Sequence, residues 1–86
     1  MKRDKWELIG YSKTTGANGG GGAKVKEDLK NVPKWVQNVA FYQCLLPERT
    51  YYVKGKTFLY KIEVRLGCVQ GYWDYYFYRK LRRRKS

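Results

Sequence analysis

Residues 57–81 read TFLYKIEVRL, GCVQG, YWDYYFYRKL, and the alternation within them decides the fold. In the first block Phe58, Tyr60, Ile62, Val64 and Leu66 fall on one side, with Lys61, Glu63 and Arg65 on the other. That is the period of two imposed by an extended chain. Residues 67–71, opened by Gly67 and closed by Gly71, supply a hairpin connection. The last block continues as a strand over 72–81. It separates Trp73, Tyr75, Phe77 and Leu81, which join Phe58, Ile62 and Val64 in a core, from Tyr72, Asp74, Tyr76, Tyr78, Lys80 and Arg82 on the opposite face. Arg65 or Lys61 is the expected cross-hairpin ion-pair partner of Asp74.

Upstream, residues 50–53 are aromatic and β-branched, and Lys54-Gly55-Lys56 offers a tight turn or a bulge. Three successive strands with short connections predict an antiparallel meander. Residues 6–12 read as a further short strand with Trp6, Leu8 and Gly10 on one side. Between them, residues 24–43 change period. Val25 and Leu29 lie four apart, Asn31 offers a cap, Pro33 suits a first turn, and Val36, Val39, Ala40 and Gln43 follow helical spacing, so one or two short helices are expected. Residues 39–46 also tolerate a strand, and Pro47 ends either element. Trp35 either seals the helix against the sheet or stays as an exposed aromatic contact. The fold class is therefore α+β: a small antiparallel sheet, or a partly open β-barrel, of about four strands with one short helical segment.

The 86 residues suit a single small domain over 1–86. Residues 14–23 hold five glycines and read as a flexible Gly-rich loop, because confining glycine is entropically expensive. They do not match a phosphate-binding Gly-x-x-x-x-Gly-Lys-Ser/Thr loop. Residues 82–86 form a basic C-terminal tail.

Nineteen Lys and Arg against seven Asp and Glu give a formal charge of +12. Residues 1–40 carry +4 and residues 41–86 carry +8, so the C-terminal half is the more cationic. Such a field attracts nucleic acid, anionic membrane surfaces or acidic protein. The nucleic-acid-binding candidates are Lys61, Arg65, Tyr72, Tyr76, Tyr78, Arg79, Lys80, Arg82, Arg83, Arg84 and Lys85. Phenol rings among cations suit single-stranded RNA or DNA, since bases stack on rings while Lys and Arg neutralise phosphate. The bland reading of the same tyrosines is sheet packing, or a protein interface. Lys54 and Lys56, with Arg49 near in sequence, either extend the cationic surface or keep a hairpin edge soluble.

Enzymatic chemistry finds little support, because histidine is absent and no spaced pair of acids stands out among Asp4, Glu7, Glu27, Asp28, Glu48, Glu63 and Asp74. No cofactor or metal is expected: Cys44 and Cys68 lack the four-ligand spacing of zinc, and read as two reduced thiols or as a disulfide pair. The first residues have no apolar run and no stretch is long enough for a membrane span, so a cytoplasmic protein without membrane insertion is expected. The leading expectation is a non-enzymatic nucleic-acid-binding protein of low sequence specificity. The alternative is a cationic accessory subunit docking on an acidic protein or a larger complex. Peripheral attachment to anionic lipid is the third and weakest, because no long amphipathic basic helix is present.

Overall fold

The computed structural model describes residues 5–15, 24–43, 45–46, 48–67 and 72–82. They form five strands and one helix: β1 (Glu7–Thr15), β2 (Lys24–Asp28), α1 (Lys34–Tyr42), β3 (Arg49–Lys54), β4 (Phe58–Leu66) and β5 (Tyr72–Leu81). All strands pair antiparallel in a single sheet of order β2-β1-β5-β4-β3. The sheet has two edges, β2 and β3, and does not close into a barrel.

The central hairpin follows the alternation of its sequence. β4 and β5 pair Lys61 with Tyr78, Ile62 with Phe77, Glu63 with Tyr76 and Val64 with Tyr75. One face is therefore lined by Tyr60, Ile62, Val64, Trp73, Tyr75 and Phe77, all buried. Helix α1 covers this face through Val36, Ala40 and Phe41, with Leu29, Val32 and Leu45 completing the core. The Phe41 ring stands edge-on to Tyr75 at 5.0 Å and to Phe77 at 6.1 Å. Pro33 opens the helix and offers its carbonyl to the N–H groups of Val36 and Gln37. Gln37 Nε2 in turn donates to the carbonyl of Val32 at 2.9 Å, which ties the first turn to the segment before it.

Strand β1 bears small side chains where β2 and the 29–32 turn press against it. A Cβ on Gly10 would lie 2.4 Å from Val32 Cγ2 and 3.1 Å from the Asp28 carbonyl oxygen. β1 also carries a bulge: Leu8 faces Tyr78 and Gly10 faces Phe77, so the buried Ile9 is an extra residue. An extra residue inverts the alternation. Gly10 and Ser12 consequently lie on the helix side, whereas Trp6 and Leu8 lie on the other, which corrects the grouping of Trp6, Leu8 and Gly10 on one side.

Three further expectations are corrected. Residues 24–28 form a strand instead of the first helical turns, because β1 offers an unpaired edge and backbone pairing to it needs no apolar periodicity. Residues 39–42 continue α1, so the strand reading of 39–46 falls, and the helix is held by Ala40 and Phe41 in the core. Leu66 and Leu81 are 56% and 65% exposed instead of buried. The nine-residue helix reaches about 13 Å, while the long strands run about 30 Å, so the strand ends extend beyond its cover. Residues 16–23, Cys44, Pro47, Cys68 and residues 83–86 lie outside the described residues, and with them most of the Gly-rich segment, both thiols and most of the basic tail.

Gly10→Ala is expected to lower stability by about 1–3 kcal/mol through overpacking against Val32. Urea denaturation followed by tryptophan fluorescence checks this; an unchanged midpoint would mean that the Val32 segment yields at no cost.

Candidate nucleic-acid interface

With α1 on one face, no described element covers the other. That outer face displays Tyr72, Asp74, Tyr76, Tyr78 and Lys80 from β5 and Lys61, Glu63 and Arg65 from β4, as the alternation requires. Pairing with β1 and β3 adds side chains to which period two within the hairpin gave no access. Tyr11 lies opposite Tyr76, Lys13 opposite Asp74, and Tyr52 opposite Lys61. Trp6 packs against Tyr52 at 6.0 Å between ring centroids.

Cations and rings interleave across this surface. Lys61 Nζ stands 4.6 Å from the Tyr78 centroid and 5.0 Å from that of Trp6. Lys80 Nζ is 4.8 Å from Trp6, and Lys13 Nζ is 5.5 Å from Tyr72. Tyr11 and Tyr76 pack at 5.2 Å. Tyr52 is 69% exposed, and Tyr72, Tyr76 and Tyr78 are half-buried.

Two carboxylates temper the charge. Glu63 receives Arg65 Nη2 at 3.1 Å, Lys61 Nζ at 3.6 Å and the Tyr78 hydroxyl at 3.5 Å. Asp74 accepts the Tyr11 hydroxyl at 3.3 Å, which replaces the expected ion pair with Arg65 or Lys61. Glu63, lying between those two cations on β4, takes both. Partial burial and the neighbouring Glu63 carboxylate push the Tyr78 hydroxyl above its ordinary pKa, because both disfavour the phenolate.

The candidate residues do not all gather here. Lys61, Arg65, Tyr72, Tyr76, Tyr78 and Lys80 share the outer face. Arg79 lies on the helix side, where its Nε donates to Glu7 at 3.2 Å and its guanidinium stacks 4.4 Å from the Phe58 centroid. Arg82 is not outer-face either. Its Nη1 donates to the Gly55 carbonyl at 2.8 Å and its backbone N–H to the Thr57 carbonyl at 2.9 Å, fastening the end of β5 to the β3–β4 turn. Arg83, Arg84 and Lys85 lie outside the described residues. Trp6, Tyr11, Lys13 and Tyr52 are the members that sequence reasoning missed. Their aromatic and cationic character was visible, but their placement depends on strand order.

Among the described residues, no group of three or more Cys, Asp or Glu is placed to hold a metal ion, and no helix is long and apolar enough to cross a membrane. No family model, curated protein or solved structure matches the chain.

The raised Tyr78 pKa has a sign. Stabilisation from its neutral hydroxyl is present below the unfolded value of about 10 and is lost as pH rises through the higher folded value. The stability advantage of wild type over Tyr78→Phe should therefore shrink above about pH 10. Urea midpoints of both proteins across that range test it, and parallel curves would show that Glu63 and burial do not bear on Tyr78.

Proposed function

We propose that this protein binds single-stranded nucleic acid, RNA or DNA, without catalysis and with little sequence preference, through the outer face of its sheet. One observation carries the reading: Lys61 stands between the rings of Trp6 and Tyr78 on a face that the helix leaves open. A lysine on a ring is held by about 0.5–1 kcal/mol where exposed and about 2 kcal/mol where desolvated, and the Lys61 side chain is 16% exposed. A charge-assisted bond to phosphate is stronger. An arriving strand can thus draw Lys61, Lys80 and Lys13 onto its phosphates and leave the rings to its bases. Contacts of these kinds grip backbone and π-faces, which every sequence shares, and among the described residues no helix lies on this face to read a groove.

A second reading, docking of the same face on an acidic protein, is favoured by Tyr52 and by Leu8, which is 55% exposed next to Tyr78. Large apolar and aromatic side chains at a surface are typical interface anchors. Nuclease treatment of a pull-down separates the two: loss of the retained material supports the first, and an acidic protein that survives supports the second.

Two substitutions test the interface directly by fluorescence anisotropy with short oligonucleotides. Trp6→Ala should weaken binding by about 1–3 kcal/mol, the worth of one stacked base. Glu63→Gln should tighten binding and steepen the salt dependence, because freeing Lys61 and Arg65 adds phosphate partners at about −0.7 in the log–log slope for each. Unaltered affinity per folded molecule in both variants would reject the outer face as the binding surface.

A further inference from the structure

A second feature lies on the helix side of the sheet, at the corner formed by the β3–β4 turn. There Trp35, Phe58 and Tyr60 wall an open groove of about 640 Å³, whose rim is supplied by Lys54, Lys56 and Arg82. Its size falls within the range of small-molecule sites. Trp35 stands edge-on to Tyr60, 5.7 Å apart at 88°, and remains 44% exposed, so an indole surface is open to a flat ligand. Gly55 allows the turn to approach these rings: a Cβ there would lie 2.8 Å from the Phe58 carbonyl oxygen and 3.0 Å from Tyr60 Cε2.

The chemistry of the rim selects the occupant. An aromatic cluster alone suits a cation. Here Arg79 already covers Phe58, and three further cations surround the opening with no carboxylate among the lining residues. A cationic ligand would be repelled. Arg82 is held in place by its bond to the Gly55 carbonyl, which leaves other guanidinium N–H groups for a ligand. Lys54 and Lys56 have no ion-pair partner among the described residues. A flat ring to lie on Trp35, joined to an anionic group for the rim, describes a nucleotide.

We infer that this groove is a nucleotide site, taking a nucleobase against Trp35 and its phosphate between Lys54, Lys56 and Arg82. It shares no residue with the outer face and stands whether or not that face binds a strand.

The three tryptophans report on three places: Trp35 in the groove, Trp6 on the outer face and the buried Trp73 in the core. In isotope-labelled full-length protein, millimolar adenosine monophosphate should shift the Trp35 indole N–H resonance saturably while Trp73 stays still. Adenosine and inorganic phosphate should each bind about tenfold more weakly, since each lacks one half of the recognition. The Lys54→Ala/Lys56→Ala variant, altered at two exposed positions, should lose about tenfold in affinity with an unchanged Trp73 signal. A Trp35 resonance indifferent to the nucleotide would overturn the site, as would phosphate binding as tightly as the nucleotide or a double variant equal to wild type. If an oligonucleotide leaves Trp6 unmoved while the mononucleotide shifts Trp35, the outer-face reading fails and the groove stands.

Discussion

Everything in this small protein depends on the packing of one short helix against the middle of the sheet. Phe41 against Tyr75 and Phe77, with Val36 and Ala40 beside it, excludes water from one face. At about 25 cal/mol per Å² of apolar surface, such aromatic burial dominates the stability of a domain of this size. The consequence is a division of labour. Because α1 is the only helix among the described residues, burying one face leaves the other in solvent.

The strand ends and the outer face follow from that division. Leu66 and Leu81 lie beyond the reach of a nine-residue helix and stay exposed. On the outer face, alternate residues of β4 and β5 that do not enter the core are tyrosines and charged side chains, so rings and ammonium groups meet on that face. Glu63 and Asp74 keep this surface from being a plain field of positive charge. They hold Lys61, Arg65 and the Tyr11 hydroxyl at defined places. The groove at the β3–β4 corner arises from the same geometry, where the helix start and the turn meet around Trp35 and Gly55.

Much of the central hairpin was legible in the sequence. The limits of β4 and β5, the core positions Ile62, Val64, Trp73, Tyr75 and Phe77, and the outward direction of Lys61, Tyr76, Tyr78 and Lys80 all follow from period-two alternation, which needs no knowledge of partners. The α1 segment was legible from Pro33 and the spacing of Val36 and Ala40. β2 was not, because KVKED holds a single apolar residue and so shows no period, and its strand state comes from pairing with β1. Nor was the bulge at Ile9, which moves Trp6 to the outer face. Arg82 looked like the start of a tail, and it is a clasp on the β3–β4 turn.

Composition and alternation by themselves determined that this chain builds an antiparallel sheet with an aromatic core and a strongly cationic remainder, because charge and side-chain direction along a strand are local properties. Tertiary structure alone decided which rings meet which cations. Strand order, one extra residue in β1 and the landing place of the helix are set by pairings between residues far apart in the chain, and only these bring Trp6 to Lys61 and Arg82 to Gly55.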